Sequence, residues 1–414
     1  MKYLIAIYLF TTIFLLSAQK QDVAAMGSNL ASDDFQLPFN SFKIIGFGAL
    51  HGAANTETTE LYLLKKLIQK NQLDVYFPET DFATAYYFQT FLRTGDTVLL
   101  KELVSAYGTR IPQESSLEIY QKWKQLRLLL HGKPMLVLGV DQIANYKFSV
   151  KLLHELYIPK SPWVELDSLN LLLRNNNTIW LAFYNSSTQA QLIRFVNTYN
   201  KNKPLYQTSI RDTFLFQHMI NNIQFSFNAD KREQRMYNNY LVLHKQYNLS
   251  QTKQFFRMGV FHIMKSRINN NASFFCKLLE NGIYKKEDLI SIQGYLNKSR
   301  VLWETKYKSF YKPDTYEGHE TKGRFGYSDH LIEHFKGIRK LKRLKVSDYT
   351  FYNLKSDISS VEYNKLGKLN LIKIKSFFHR VYWKPDEKKS TLDYIDYAIL
   401  ISHSKANIPI EELK

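Results

Sequence analysis

The feature that most constrains the fold is a short apolar segment, a helical pattern and a second short apolar segment, in that order. Residues 42–49, FKIIGFGA, are typical of a buried strand, and Leu61, Leu64 and Leu67 then recur at helical spacing. The next apolar run, residues 73–77, is too short for a helix. A strand, a helix and a strand predict a right-handed crossover that joins two parallel strands.

Three further apolar runs extend this pattern along the chain. Residues 134–140, 255–261 and 395–401 are strand-like. Residues 84–131 have helical periodicity and predict a helical excursion after the second strand. Strands that alternate with helices predict an α/β fold with a mostly parallel central sheet flanked by helices.

Titratable residues follow four of these apolar runs. His51, Glu79, Asp141 and His262 each come just after a strand-like segment. Parallel strands end at the same edge of a sheet, and ligands bind in the crevice beyond that edge, so we expect these side chains to lie close together. A histidine beside a carboxylate is the minimum for general base catalysis on water. Taken singly, a histidine after a strand is more often a capping or core residue, and a structural ion pair is the alternative for Glu79.

The N-terminus has the pattern of an export signal. Lys2 precedes an apolar run over residues 3–16, and the small residues Ser17 and Ala18 follow it. We therefore predict a signal peptide over residues 1–18 and a periplasmic or secreted destination. A retained membrane anchor is the alternative, although the run is short for one.

The rest of the chain is long enough for one large domain. Residues 19–38 are polar and rich in small side chains, and they predict a flexible leader before an α/β domain over residues 39–414. The single cysteine, Cys276, excludes an intramolecular disulfide, so we expect it to pack in the core.

The chain is strongly basic, with 56 Lys and Arg against 37 Asp and Glu and a formal charge of +19. Such a charge attracts nucleic acids, anionic envelope surfaces or acidic substrates. The cations are spread along the chain without a zinc-finger, RNA-recognition or basic-zipper motif, so we predict no nucleic-acid partner. Peripheral contact with an anionic envelope stays open, and nothing in the sequence indicates an oligomeric state.

Several stretches of the sequence together resemble the erythromycin esterase family. They are IIGFGALHG at residues 44–52, ETD at 79–81, GVD at 139–141, REQRMYNN at 232–239 and the segment 258–262 that delivers a late histidine. The closing strand at 396–402, followed by Pro409, also fits. The resemblance spans nearly the whole chain after the predicted signal peptide, and it implies an α/β fold and a hydrolase that cleaves an ester or lactone.

The resemblance implies roles for three of the strand-end residues. His51 would be the general base that activates water, Glu79 its acidic partner, and His262 a second histidine of the site. The implied reaction uses no metal and no cofactor. The sequence contains no GxSxG nucleophile elbow, which disfavours a serine hydrolase.

A helix that carries Arg232, Met236 and Asn239 on one face would meet the substrate together with Asp141. Arg232 would steady the carbonyl oxygen or the tetrahedral anion. A plain ion pair of Arg232 with Asp141 or Glu79 explains the residue equally well.

The sequence departs from the family pattern at three positions. Gly48 stands where a glutamate usually precedes the catalytic histidine by three residues, Glu60 replaces a frequent arginine, and Gly259 replaces a second late histidine. One hypothesis is that Glu60 supplies the carboxylate that Gly48 lacks. The alternative is that Glu60 is an ordinary acid in the first turns of a helix.

Two functions from different classes follow. The first is an exported hydrolase that acts on a small-molecule substrate, and the second is an envelope protein that binds a ligand in the same crevice without turnover. The aromatic residues Tyr86, Tyr87, Phe88 and Phe91 of the helical excursion predict a partly apolar ligand, if they line the pocket.

Overall fold

A computed structural model describes ten stretches of the chain. They are residues 27–108, 115–143, 145–158, 162–175, 186–227, 231–304, 318–322, 333–354, 370–376 and 383–410. The predicted signal peptide, residues 1–18, lies outside them. Within these stretches, no helix is both long and apolar enough to cross a membrane.

The described strands form one large sheet and two small ones. In chain order they are β1 Gly27–Asn29, β2 Ile44–Ala49, β3 Val75–Phe77, β4 Leu136–Val137, β5 Gln254–Gly259, β6 Leu289–Asn297, β7 Arg300–Glu304, β8 Gly318–Lys322, β9 Glu333–Phe335, β10 Tyr349–Asn353, β11 Ile374–Ser376 and β12 Tyr397–Ser402. The large sheet has the order β1, β10, β12, β6, β2, β5, β3, β4, whereas β7 pairs with β8 and β9 with β11.

The large sheet is mostly parallel. Each of the neighbouring pairs from β12 to β4 is parallel, and the antiparallel pairs of β10 with β12 and of β1 with β10 lie at one edge. The predicted α/β class is therefore confirmed. Strands β2, β6 and β12 are buried at every position, which is typical of parallel strands covered on both faces.

Helices separate most of the strands. In chain order they are α1 Ala54–Gln69, α2 Phe82–Thr94, α3 Thr97–Gly108, α4 Leu117–Leu130, α5 Tyr146–Leu156, α6 Val164–Asn175, α7 Ser186–Lys201, α8 Lys203–Gln207, α9 Thr213–Ser226, α10 Arg232–Gln246, α11 Phe274–Glu280 and α12 Ile338–Arg343. The predicted helical excursion corresponds to α2, α3 and α4, which follow the second strand of the crossover.

Successive residues of β3 show that helices cover both faces of the sheet. The ring of Tyr76 lies 5.5 Å from that of Trp123 in α4, and its hydroxyl donates to Glu60 in α1. The next residue, Phe77, faces the other side, where its ring lies 6.0 Å from Tyr240 of α10. Side chains alternate along a strand, so α1 and α4 form one layer and α10 belongs to the other.

The predicted flexible leader over residues 19–38 is wrong for its second half. Gly27 begins β1, which pairs with β10, and the side chains of Leu30 and Leu37 are buried. The folded domain therefore begins before residue 39. Apolar side chains spaced among polar ones tie this segment to the sheet, and their burial outweighs its polar composition.

The aromatic residues of α2 pack in the core. Tyr87, Phe88 and Phe91 are buried, and the ring of Phe88 stacks on that of Trp123 at 4.1 Å. Phe88 thus packs against α4 and Tyr87 against Phe148 of α5, so the presence of these rings no longer supports a partly apolar ligand.

Candidate active site

Four neighbouring strands bring four titratable side chains to one edge of the sheet. His51 follows β2, Glu79 follows β3, Asp141 follows β4 and His262 follows β5, and these strands are adjacent in the sheet. The chain leaves β2 toward β3 and leaves β5 toward β6, which lie on opposite sides of this strand pair. Such a reversal is where open α/β sheets form a ligand crevice.

Glu79 is the centre of the cluster, with a histidine on each side. The Nε2 atom of His51 lies 3.9 Å from Oε2 of Glu79, and the Nε2 atom of His262 lies 3.6 Å from Oε1. The side chains of Glu79 and His262 are 6% and 8% exposed, whereas that of His51 is 22% exposed. His51 is therefore the more accessible of the two imidazoles.

An arginine and a backbone amide fix the carboxylate of Glu79. Arg232 donates from Nη2 to Oε1 at 2.7 Å, and the backbone N–H of Gly259 donates to Oε2 at 2.6 Å. Arg232 also binds both carboxylate oxygens of Asp141, through Nε at 2.8 Å and through Nη2. The ion pairs of Arg232 with both acids are thus present, and a two-point contact of this kind restricts the orientation of the guanidinium.

These contacts keep Glu79 charged. Burial by itself would raise the pKa of Glu79, but Arg232 and the two histidines lower it below its ordinary value of 4.5. Burial likewise opposes the charge of Arg232, yet Asp141 and Glu79 raise the pKa of the guanidinium well above its ordinary value. The site therefore holds a buried carboxylate that is ionised at neutral pH.

Glu233 is a site residue that the sequence analysis missed. Its Oε1 atom lies 2.6 Å from Nδ1 of His262, so this imidazole stands between two carboxylates. The signal was its position next to Arg232 in the first turn of α10, where an acid is also favoured by the helix dipole. A carboxylate at Nδ1 restricts the orientation of the ring.

The loops after β3 and β4 meet without space between them. A Cβ atom at position 139 would lie 2.2 Å from the carbonyl oxygen of Asp81, so only glycine fits there. The N–H of Asp141 donates to the carbonyl of Thr80 at 3.1 Å, and Asp81 caps α2 by accepting from the N–H of Thr84. These contacts set Glu79 and Asp141 side by side.

Glu60 lies in a different cluster. Its carboxylate binds Nζ of Lys122 at 2.6 Å and accepts from the hydroxyl of Tyr76, and Arg257 lies 3.7 Å away. The side chain is fully buried between α1 and the sheet, and burial raises the pKa of Glu60 in spite of Lys122. The hypothesis that Glu60 acts beside His51 is therefore wrong in this geometry, because its carboxylate is engaged inside the protein.

Met236 and Asn239 are buried residues of α10 next to the site. Met236 is fully buried, and the amide of Asn239 donates to the carbonyl of Val140 at 3.0 Å and to Asn222 at 2.7 Å. Because both side chains are buried, the structure does not support the prediction that they contact substrate. Asn239 instead holds the backbone next to Asp141.

Gly48 is closely packed against two side chains. A Cβ atom at this position would lie 2.9 Å from Oε1 of Gln293 and 2.9 Å from a methyl carbon of Ile263. A larger side chain here, including the glutamate of the family pattern, would therefore require Gln293 and Ile263 to shift. Gln293, on the neighbouring strand β6, takes part of that space.

Among the residues that the structure describes, no group of three His, Cys, Asp or Glu side chains has the geometry of a metal site. The short distances in the cluster are instead ion pairs and hydrogen bonds. What the arrangement offers chemically is a partly exposed imidazole beside a fixed anion, which is the basis of general base catalysis.

No protein-family model and no curated protein sequence matches this chain. Three solved structures that match it have the same fold. A mutant of the erythromycin esterase EreC, in its open conformation, has a TM-score of 0.58 at 11% identity and covers 89% of this chain and 92% of its own. A succinoglycan biosynthesis protein has a TM-score of 0.54 at 11% identity and covers 89% of each chain. A protein from Bacillus cereus has a TM-score of 0.54 at 15% identity and covers 89% of this chain and 90% of its own. At identities this low, the structural match shows a shared fold and nothing more.

Proposed function

We propose that this protein is a carboxylic ester hydrolase in which His51 takes a proton from the attacking water. The observation that carries the proposal is the position of His51, 22% exposed and 3.9 Å from the ionised, buried carboxylate of Glu79. The fold, which resembles that of an erythromycin esterase, supports the same class of reaction.

The proposed reaction needs one water and one base. As the imidazole of His51 removes a proton, the water oxygen attacks the carbonyl carbon of the ester. The C–O bond to the alcohol then breaks, and the departing oxygen receives the proton from His51. An acid and an alcohol are released. Glu79 stabilises the imidazolium of His51 between these two proton transfers. In this proposal, the 3.9 Å distance between His51 and Glu79 shortens when substrate binds.

Arg232 and His262 have secondary roles in this proposal. The side chain of Arg232 is 31% exposed in spite of its two carboxylate partners, so it can also approach the developing oxyanion. His262, held between Glu79 and Glu233, is the second donor near the reacting carbonyl.

The first test is the variant His51→Ala, assayed with 4-nitrophenyl acetate. We expect kcat/KM to fall ~100-fold or more, the usual contribution of a general base, with no large change in the melting temperature. The matched control is His154→Ala, which removes an exposed imidazole of α5 that pairs with Asp167 at 3.3 Å. Equal activity in the two variants would contradict the role of His51.

The second candidate is a ligand-binding protein without turnover, and Gly48 favours it, because the glutamate of the family pattern is absent from that position. In that case, a compound that raises the melting temperature should be recovered unchanged after long incubation. Product formation that disappears in His51→Ala decides between the two.

A further inference from the structure

A polar cavity of about 460 Å³ lies beside His262. It is bounded by the start of α10, the loop after β5 and α11. Its walls include Lys231, Glu233, Gln234, Phe261, Asn271 and Lys277. The volume lies within the range of small-molecule sites.

Glu233 joins this cavity to the catalytic cluster. Its carboxylate lies 2.6 Å from Nδ1 of His262 and also contributes to the cavity wall. Phe261 is in the cavity wall too, and its ring centroid lies 6.2 Å from that of His262. The cavity therefore adjoins His262, the second histidine of the proposed site, through Glu233 and Phe261.

The walls offer both hydrogen-bond donors and acceptors. The ammonium groups of Lys231 and Lys277 donate, the carboxylate of Glu233 accepts, and the amides of Gln234 and Asn271 do both. Lys277 is already fixed, since its Nζ donates to Oε1 of Gln234 at 2.8 Å. The half-buried ring of Phe261 adds a flat apolar surface.

We infer that this cavity binds a hydroxyl-rich alcohol group, such as a sugar ring, that forms the alcohol part of the ester. Each hydroxyl donates one hydrogen bond and accepts others, so it matches a wall that contains ammonium, amide and carboxylate groups together. The C–H face of a sugar ring matches Phe261. The inference rests on the proposed ester hydrolysis, for which it names the substrate class.

Two simpler ligands fit the cavity less well. An apolar group would leave the charged and amide groups of the wall without partners, which is costly. A compact anion would be repelled by the carboxylate of Glu233 in the wall. The third cation of the wall, beside Lys231 and Lys277, is Arg267, and Glu280 already binds it through two contacts of 2.7 and 2.6 Å.

The reaction then converts the acyl ester of a sugar hydroxyl and one water into a free sugar hydroxyl and a carboxylic acid. The C–O bond between acyl carbon and sugar oxygen breaks, and the water oxygen forms the new bond to the acyl carbon. The sugar oxygen receives the proton that His51 carries, so no oxidant or further reactant takes part.

A matched pair of substrates tests the inference. Methyl 6-O-acetylglucoside and cyclohexylmethyl acetate share the acetyl group and a six-membered ring joined to it through one CH2 group, but the second ester lacks the hydroxyls, the ring oxygen and the methoxy group. We expect kcat/KM for the glucoside to be ~30-fold higher or more, because groups built to bind hydroxyls are left unpaired by the analogue that lacks them. Equal values for the two esters would overturn the inference and leave the hydrolase proposal intact.

Variants of the cavity wall localise the effect. Lys277→Met should raise KM for the glucoside ~5-fold to 10-fold and so lower the ratio of kcat/KM between the glucoside and cyclohexylmethyl acetate. Asn271→Ala, in an exposed position, should act in the same direction without risk to the fold. Lys245→Met, at the exposed far end of α10, is the control and should change neither substrate.

Binding separates this inference from the hydrolase proposal. Methyl glucoside, the product alcohol, should bind His51→Ala in calorimetry and bind the same protein with Lys277→Met more weakly. If methyl glucoside binds but no ester is cleaved, the sugar subsite stands and the hydrolase proposal fails. If esters are cleaved but methyl glucoside neither binds nor inhibits, the subsite is wrong.

Discussion

Glu79 keeps a negative charge in a buried position because its neighbours replace the water that it has lost. Arg232, the N–H of Gly259 and the two histidines all lie within 4 Å of its carboxylate. The sequence shows an acid at the end of a strand, but Arg232 is 153 positions away along the chain. Only the fold brings the two together.

The charge of Glu79 predicts a pH-dependent contribution to stability. Its folded-state pKa is lowered from 4.5, so the contribution is complete above the unfolded-state pKa and is lost as the pH falls through the folded-state pKa. We expect Glu79→Gln to reduce the free energy of unfolding at pH 7 by ~3 kcal/mol, because it leaves Arg232 with one acid fewer. The deficit relative to the native chain should shrink below about pH 4.5.

Denaturant unfolding between pH 3 and pH 8 measures this effect. Glu280→Gln is the control, since Glu280 pairs with Arg267 on the surface, where an ion pair is worth ~1 kcal/mol or less. A deficit for Glu79→Gln that is independent of pH would mean that the charge is not what matters.

At the level of elements, a buried ion cluster fastens α1 and α4 to the sheet. Lys122 of α4 binds Glu57 at 2.7 Å and Glu60 at 2.6 Å, both in α1, and Arg257 of β5 binds Glu57 at 3.0 Å. Burial works against the charge of Lys122, but the two carboxylates raise its pKa. The cluster lies beneath the site and keeps α1, which follows His51, in position.

Removal of the Lys122 charge should lower the free energy of unfolding. Lys122→Met leaves two buried carboxylates with less compensation, so we expect a loss of ~3–5 kcal/mol in the free energy of unfolding. Lys65→Met is the control, because Lys65 contacts the 92% exposed Asp33 at 3.4 Å and an exposed pair contributes little. Similar effects of the two substitutions, measured by chemical denaturation, would contradict a structural role for the cluster.

Two glycines near the strand ends differ in what they tolerate. Gly139→Ala places a methyl group against the backbone of Asp81 at 2.2 Å, and neither loop can yield easily. We expect a destabilisation of ~3 kcal/mol, at the upper end for overpacking, with loss of activity because Glu79 and Asp141 are displaced.

Gly259→Ala provides the contrast. Its added carbon would lie 3.5 Å from His262 and 3.6 Å from Glu79, which are ordinary contacts. This variant should keep the melting temperature of the native chain. Thermal melts of both variants decide the matter, and a destabilised Gly259→Ala or a stable Gly139→Ala would show that the loop contacts are misjudged.

On the scale of the whole molecule, the edge strand of the large sheet is β1, which lies before residue 39, the predicted start of the domain. The antiparallel pair of β1 and β10 adds residues from position 27 onward to the fold. Leu30 and Leu37 are buried in the same core as the parallel strands. The segment is therefore structural, although its composition resembles that of a leader.

Substitutions in this segment test that conclusion. Leu30→Ala and Leu37→Ala should each lower the free energy of unfolding by ~2 kcal/mol or more, the usual cost of a Leu-to-Ala cavity. Gln36→Ala, an exposed position between them, should have almost no effect. A flexible leader would tolerate all three equally, and denaturant unfolding distinguishes the two cases.

The central strand β6 illustrates a limit of prediction from sequence. It is buried at every position, yet Ser291, Gln293, Gly294 and Asn297 interrupt its apolar pattern. Two of the polar side chains donate to other parts of the chain: the hydroxyl of Ser291 donates to the carbonyl of Ile263 at 2.8 Å, and the amide of Asn297 donates to the hydroxyl of Ser402 at 2.9 Å. Those partners come from other parts of the chain, so local periodicity does not reveal the strand.

The sequence by itself determined the fold class and the common edge at which His51, Glu79, Asp141 and His262 meet. Apolar periodicity and the rules of parallel crossovers are local properties, and they suffice for that purpose. The tertiary structure decided which charges pair with which. Glu60 joins Lys122 inside the protein and Glu233 joins His262 at the site, because a buried charge takes the partner that is nearest in space, and distance along the chain does not predict it.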